Sequence, residues 1–232
     1  MKYEIKGGNL PYVKCHLTAG ESIYCEAGGM AWMDDCFSME TQGGGIGKIF
    51  SRMLSGESMF RNRYTAEQDG EITFASCFPG AIQAFELKPG QELIVQKCAY
   101  LASESTVEMS IFMQKKLSTG LFGGEGFIMQ RFTGSGLVFL EIDGSAEMYE
   151  LAAGERKIVS TGNLLAMDGT CKMDIRAIKG MKNVLFGAES FFNTEITGPG
   201  RIVLQSMPIH KTAMELHKYM PEPLNTSSSS ND

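Results

Sequence analysis

Three glutamates at matching places in the sequence are the sharpest candidate for chemistry. Glu57, Glu125 and Glu189 each stand second in short segments of similar composition, GESMF, GEGFI and AESFF. In a fold with a pseudo-threefold axis, equivalent positions surround that axis, and three carboxylates at one level could hold a hard cation such as Ca²⁺. The interpretation we favour is structural: each glutamate accepts backbone N–H groups where a strand begins.

Three inserts that mix apolar side chains with two cations each form the second candidate site. They read IGKIFSRML (46–54), IFMQKKLSTGLF (111–122) and IKGMKNVLF (178–186). Their cations are Lys48, Arg52, Lys115, Lys116, Lys179 and Lys182. Basic amphipathic segments lie on membranes or bind partners, so the inserts suggest an anionic membrane surface or a protein partner. The alternative, which we favour, is that they cap the ends of the β-units with their apolar sides buried.

Motifs for catalysis or cofactor binding are poorly represented. The three histidines, His16, His210 and His217, fall at no matched repeat position, and the last two are expected to be solvated. No G-x-S-x-G segment leads from a strand to a helix, and GGGIGK at 43–48 lacks the Ser or Thr that follows Lys in a phosphate loop. The six cysteines form no C-x-x-C pair, which argues against zinc. We therefore expect no catalytic residue and no cofactor.

The formal net charge of −6 argues against a general nucleic-acid binder, because Lys and Arg dominate phosphate recognition. The chain opens with MKYEI, without an apolar signal region, and contains no run of about 18 apolar residues. We therefore expect a cytoplasmic protein, peripheral to a membrane if the inserts attach to one. Trp32, with Met30 and Met33 beside it, is expected in the core.

The elements that would position these residues are three copies of one strand-rich unit. The segments LTAGESIYCEAGGMAWM, LKPGQELIVQKCAYLAS and LAAGERKIVSTGNLLAM align without gaps, with Gly20, Gly90 and Gly154 in register. Later in each copy come a strand, a Gly-rich turn and a second strand: EQDGEITF, TGSGLVFL and TGPGRIVL. Short strands between Gly and Pro turns are typical of a sandwich or barrel. The sequence therefore predicts an all-β fold.

The repeat also sets the organisation of what we expect to be one compact domain. We predict three β-units, a short C-terminal helix and a disordered tail, at 1–80, 81–145, 146–207, 208–220 and 221–232. The helix is predicted because one apolar stripe recurs between Pro208 and Pro221. The tail, LNTSSSSND from Leu224 onward, has almost nothing to bury.

The G-E-S-x-F segment, the GGMAW run at 28–32 and the threefold repetition resemble the altered-inheritance-of-mitochondria family over about residues 1–207. The resemblance implies three β-sandwich units of the double-stranded β-helix type around a pseudo-threefold axis. It also implies a unit similar to the tryptophan RNA-binding attenuation protein, a link of mitochondrial members to inner-membrane organisation, and no catalytic residue. The third copy departs from the segment, with Ala188 in place of Gly.

These observations favour a non-enzymatic binding or scaffold protein that works through a surface. One alternative is a protein that binds a metal or small molecule at the threefold axis. A second alternative, RNA binding, depends on fold analogy alone. The sequence leaves the oligomeric state open.

Overall fold

The computed structural model describes residues 1–42, 61–115, 126–177 and 192–220. Within these ranges the chain consists mainly of β-strands, with two short 3-10 turns (Lys97–Ala99 and Thr161–Asn163) and one α-helix near the C-terminus. The predicted all-β class is confirmed.

The strands recur in three groups of six, which we call units 1, 2 and 3. A separate strand, β1 (Lys2–Lys6), precedes them. Unit 1 contains β2 (Tyr12–Leu17), β3 (Ser22–Glu26), β4 (Met30–Met33), β5 (Phe37–Gln42), β6 (Arg61–Ala66) and β7 (Gly70–Ala75). Unit 2 contains β8 (Gly80–Leu87), β9 (Leu93–Gln96), β10 (Tyr100–Glu104), β11 (Val107–Lys115), β12 (Phe127–Gly134) and β13 (Gly136–Asp143). Unit 3 contains β14 (Ala146–Leu151), β15 (Arg156–Ser160), β16 (Leu164–Asp168), β17 (Lys172–Ala177), β18 (Phe192–Thr197) and β19 (Gly200–Gln205).

Each unit is a sandwich of two three-stranded antiparallel layers with the same pairing. In unit 1 the layers have the orders β2-β7-β4 and β5-β6-β3, and β1 extends the first layer beside β2. The corresponding orders are β8-β13-β10 and β11-β12-β9 in unit 2, and β14-β19-β16 and β15-β18-β17 in unit 3. The apolar core of each unit lies between its two layers.

Neighbouring units join edge to edge, which produces two six-stranded sheets. Strand β3 of unit 1 pairs with β10 of unit 2, and β9 of unit 2 pairs with β16 of unit 3. The two junctions have the same register, since Ala102 lies opposite Cys25 and Ala166 lies opposite Val95. The chain therefore advances from unit to unit by one repeated step.

The three matched glycines occupy equivalent turns, as the sequence predicts. Gly20, Gly90 and Gly154 have φ angles of 86°, 82° and 80°, a region in which glycine is favoured because it has no Cβ. The residue after each glycine donates its backbone N–H to a carbonyl three residues earlier, over 3.0 Å in all three copies. The side chains of Glu21, Gln91 and Glu155 accept a backbone N–H in return.

A β-bulge recurs at one position of each unit. The pairing register shifts between Met30 and Trp32 in β4, and again at the matching steps of β10 and β16. The residues that the bulges leave out of the ladder are Ala31, Leu101 and Leu165. A bulge re-aims a side chain, and the Leu101 and Leu165 side chains are both buried.

Closure around a threefold axis would need a third junction, between β15 and β4. Among the strands that the structure describes, β4 pairs only with β7 and β15 pairs only with β18. The predicted pseudo-threefold symmetry is therefore not confirmed. The two strands instead leave one unpaired edge at each end of the row of units.

The C-terminal helix α1 (Ile209–His217) is shorter than the predicted segment 208–220, and the predicted tail at 221–232 lies outside the described residues. The Ile209 backbone N–H donates to Asp143 Oδ2 over 2.7 Å, which fixes the start of the helix. His210 is not solvated as expected. Its ring lies against Gly162, where an added Cβ would come within 1.7 Å of Cε1.

The packing of His210 predicts a pH-dependent stability. Burial, assisted by Lys211, lowers the pKa of His210 from its usual 6.5 to about 4. The unfolded state therefore binds more protons between these values, and the free energy of unfolding contributed by His210 falls as the pH drops from 6.5 to 4. We expect His210→Gln to lose less stability than the wild type over this range, as measured by urea unfolding at each pH.

Other acids do not obscure this comparison. Burial raises the pKa of Glu141 and Asp143, and a raised carboxyl pKa makes the folded state more stable as the pH falls. This opposite contribution is shared by both proteins, so the difference between them reports His210. Parallel pH profiles of the two proteins would contradict the prediction.

Candidate interaction surface at the sheet edges

Most of the site residues predicted from the sequence lie outside the described residues. These are Glu57, Glu125, Glu189, Lys48, Arg52, Lys116, Lys179 and Lys182. Lys115 is described: it ends β11, and its Nζ donates to the Ile175 carbonyl of unit 3 over 3.3 Å. The axial metal site and the basic apolar face therefore stay predictions. The first and third inserts fall between β5 and β6 and between β17 and β18, whereas residues 111–115 of the second insert form the end of β11, and its remaining residues lead toward β12.

Sequence reasoning missed a set of three carboxylates that the structure places at equivalent positions. Asp34, Glu104 and Asp168 each stand fourteen residues after the matched glycine. Each accepts the backbone N–H at a Gly-containing turn, from Glu71 over 2.7 Å and from Leu137 and Arg201 over 2.9 Å. One oxygen of each carboxylate thus holds the turn. In the described part of the chain, no group of three or more His, Cys, Asp or Glu residues could hold a metal ion.

A cleft of about 330 Å³ lies where units 2 and 3 meet, between Gly90, Gln91 and Gly169. Two of its charged side chains pair with each other. Arg201 donates through Nε and Nη2 to the two Asp168 oxygens, both over 3.1 Å. Both residues belong to unit 3, so this ion pair holds β16 to β19 beside the junction.

Three cysteines are buried and hold their protons tightly. Burial raises the pKa of Cys15 and Cys25 to about 12 and that of Cys171 to about 11. The thiolate is the nucleophilic form, so at neutral pH these groups behave as small apolar core residues.

The two internal junctions bury apolar side chains of one unit in the core of another. Leu101, Ala102 and Phe139 of unit 2 lie in the core of unit 1. The matching residues of unit 3, Leu165, Ala166 and Val203, lie in the core of unit 2. The exchange also runs the other way, because Ile94, Phe127 and Met129 of unit 2 lie in the core of unit 3.

At the two ends of the row, the equivalent side chains are exposed. Trp32 and Met33 on β4 are 48% and 36% exposed, and Ile158 on β15 is 66% exposed. Their counterparts Ala102 and Ile94 are fully buried. The prediction that Trp32 lies in the core is wrong: among the described strands β4 has no partner at its outer edge, and the Trp32 ring packs edge-on against the Tyr12 ring, with centroids 5.3 Å apart. Met30, in contrast, packs against the core of unit 1.

An unpaired strand edge that carries apolar side chains is a template for pairing with another chain. Strands β4 and β15 both have this character. The arrangement of the described residues therefore favours recognition through the sheet edges.

The sequence of this chain matches the model of a known family, described as mitochondrial biogenesis AIM24, over residues 3–207. The chain belongs to that family. The match covers all three units and ends before helix α1, which confirms the resemblance found in the sequence. The likeness to the tryptophan RNA-binding attenuation protein stays a prediction.

Two relatives of this AIM24 family member come from Streptococcus pyogenes. The chain is 29% identical over 220 residues to an uncharacterised protein of serotype M6, covering 91% of this chain and 87% of that protein. It also resembles a crystal structure of a protein from S. pyogenes, with a TM-score of 0.79, 24% identity, and coverage of 94% of this chain and 99% of that one. The second likeness supports the fold alone. Of the helices the structure describes, none is long and apolar enough to cross a membrane.

The internal junctions predict a strong effect of a single truncation. Leu165 is fully buried in the core of a unit other than its own. Leu165→Ala should therefore lower the free energy of unfolding by about 2–5 kcal/mol, the range for apolar side chains removed from a core. The control, Met39→Ala, truncates a side chain that is 53% exposed and should change stability by no more than about 0.5 kcal/mol. Equal effects in urea unfolding would contradict a stabilising junction.

Proposed function

We propose that this protein is a non-enzymatic binding and scaffold protein that acts through the unpaired edges of strands β4 and β15, at the two ends of the row of units. The observation that carries the proposal is the exposure of Trp32, Met33 and Ile158 at positions whose internal counterparts lie at unit junctions. At each internal junction, the strand after the matched glycine turn pairs with the bulged strand of the next unit. Strands β15 and β4 are of the same two kinds, and neither has such a partner among the described strands.

The physics of strand addition supports this function. An unpaired edge offers backbone N–H and C=O groups for main-chain hydrogen bonds, and the alternate side chains provide specificity. Proteins that must not associate usually blunt such edges with charge, proline or bulges. Strand β15 does carry Arg156 and Lys157, which disfavour a cationic partner and favour an acidic one.

The reactive groups of the described chain support the same function. The buried thiols are protonated at neutral pH, and the junction carboxylates are hydrogen bonded to the backbone. Glu141, whose pKa burial raises, accepts a hydrogen bond from Ser76 Oγ over 2.7 Å. These groups serve the fold.

Site-specific photocrosslinking in living cells tests this proposal. A benzophenone amino acid replaces Trp32 or Ile158, and the matched control replaces Met39, which has comparable exposure but lies on β5, an outer strand of another sheet whose equivalents join no units. We expect covalent adducts after irradiation from positions 32 and 158, and none from position 39. Adducts would be identified by mass spectrometry. Absence of adducts at both edge positions in a protein that is folded and expressed would overturn the proposed function.

A further inference from the structure

We infer that the occupant of each free edge is a second copy of this chain, joined head to tail so that β15 of one copy pairs with β4 of the next. The inference deepens the proposed binding function and depends on it. Its basis is the strand pairing that joins unit 1 to unit 2 and unit 2 to unit 3.

The two internal junctions are built from the same strands of the repeat. The strand that follows the matched glycine turn, β3 or β9, pairs with the bulged strand of the following unit, β10 or β16. One further step in the same direction starts from β15, which follows the turn at Gly154, and needs a bulged strand. Among the described strands, one bulged strand is left with an unpaired edge, and it is β4.

The internal register specifies the contacts between copies. Ala102, Ser103 and Glu104 lie opposite Cys25, Tyr24 and Ile23. Ala166, Met167 and Asp168 lie opposite Val95, Ile94 and Leu93 in the same way. Transferred to the ends, this register places Trp32 opposite Val159, Met33 opposite Ile158, and Asp34 opposite Lys157 of the other copy.

These expected pairs are chemically complementary. Met33 and Ile158 are both exposed apolar side chains, and they would cover each other. Asp34 and Lys157 carry opposite charges, whereas the matching internal pairs place a carboxylate opposite Ile23 or Leu93. The cation thus occurs only at the end of the row, where it would select the acidic end of another copy.

The pairing is sterically accessible in the described chain. Strand β1 adds to unit 1 beside β2, at the opposite edge of that layer from β4. Lys157 lies over the Tyr149 ring, with Nζ 3.6 Å from the ring centroid, and its side chain can leave this position without disturbing a core.

The side chains differ between the ends and the internal junctions, which sets the expected strength. Ala31 and Thr73 stand where unit 2 has Leu101 and Phe139, and Trp32 stands where unit 2 has Ala102. The junction between copies would therefore bury the Trp32 ring where unit 2 has an alanine, and smaller side chains where unit 2 has a leucine and a phenylalanine. We expect it to form reversibly and to depend on protein concentration, unlike the internal junctions.

A head-to-tail contact uses a different surface on each partner and leaves a free edge at both ends of a dimer. Such heterologous contacts continue until they close into a ring or extend into a filament. A symmetric dimer, in contrast, would use the same surface on both chains. This difference gives the experiment its discriminating power.

The test is analytical ultracentrifugation of the wild type, Met33→Glu, Ile158→Glu and their equimolar mixture. We expect the wild type to form species larger than a dimer as its concentration rises, and each variant alone to sediment as a monomer. Because Met33→Glu keeps β15 and Ile158→Glu keeps β4, the mixture should form a one-to-one dimer and nothing larger. Met39→Glu is the matched control and should assemble like the wild type.

A milder variant covers the case in which either glutamate substitution unfolds its strand, which circular dichroism would reveal. Lys157→Glu places an acid opposite Asp34 and should weaken assembly, with a larger effect at low salt because screening is smaller. A wild type that stays monomeric, variants that assemble normally, or a mixture that remains monomeric would each overturn the head-to-tail assembly. If position 32 crosslinks only to other proteins, the proposed binding function stands and this inference fails.

Discussion

The structure depends on one constraint: no unit fills its own core. A sandwich of six short strands has little interior for its surface, and here each unit at an internal junction receives side chains from its neighbour. Leu101 enters the core of unit 1 and Leu165 enters the core of unit 2. The β-bulge makes this exchange possible, because it turns a residue out of its own ladder and toward the adjoining unit.

The edge-to-edge junctions follow from the same constraint. Once a side chain of one unit enters the core of another, the two strands that carry the contact lie side by side, and their backbones pair. The carboxylates Asp34, Glu104 and Asp168 then hold the turns beside each bulged strand. At the two internal junctions a neighbouring unit covers these strands, whereas the outer edges of β4 and β15 have no described neighbour. Trp32 and Ile158 remain exposed for this reason.

The sequence was sufficient for the features that depend on local chemistry. A glycine in three copies of one motif predicts three turns with positive φ, and Gly20, Gly90 and Gly154 form them. Alternation and turn residues likewise predict the strands. The acids at Asp34, Glu104 and Asp168 were present at one offset from these glycines, but their mixed identity, Asp and Glu, concealed the match.

The features that depend on long-range pairing could not be predicted in the same way. Trp32 is a residue type that is common in cores, and its exposure follows from the outer edge of β4, which pairs with no described strand. The pairing of β3 with β10 joins residues far apart in sequence, and no local period reports which edges meet. The pseudo-threefold arrangement is an implication of the family resemblance, and repetition in the sequence does not establish it. Repetition in the sequence predicts that neighbouring units join in the same way. The angle between two joined units then determines whether three of them form a closed ring.

The described chain is a row of three units joined through shared cores, and we propose that the outer edges of β4 and β15 bind a partner. The measurement that tests this most directly is amide hydrogen exchange of the wild type at low and high protein concentration. At low concentration β10 and β16 should exchange slowly, because they are paired on both sides, and β4 and β15 should exchange faster. At high concentration β4 and β15 should gain protection together. Full protection of β4 and β15 in the dilute monomer would contradict the account, because it would show that both edges are already paired within the chain.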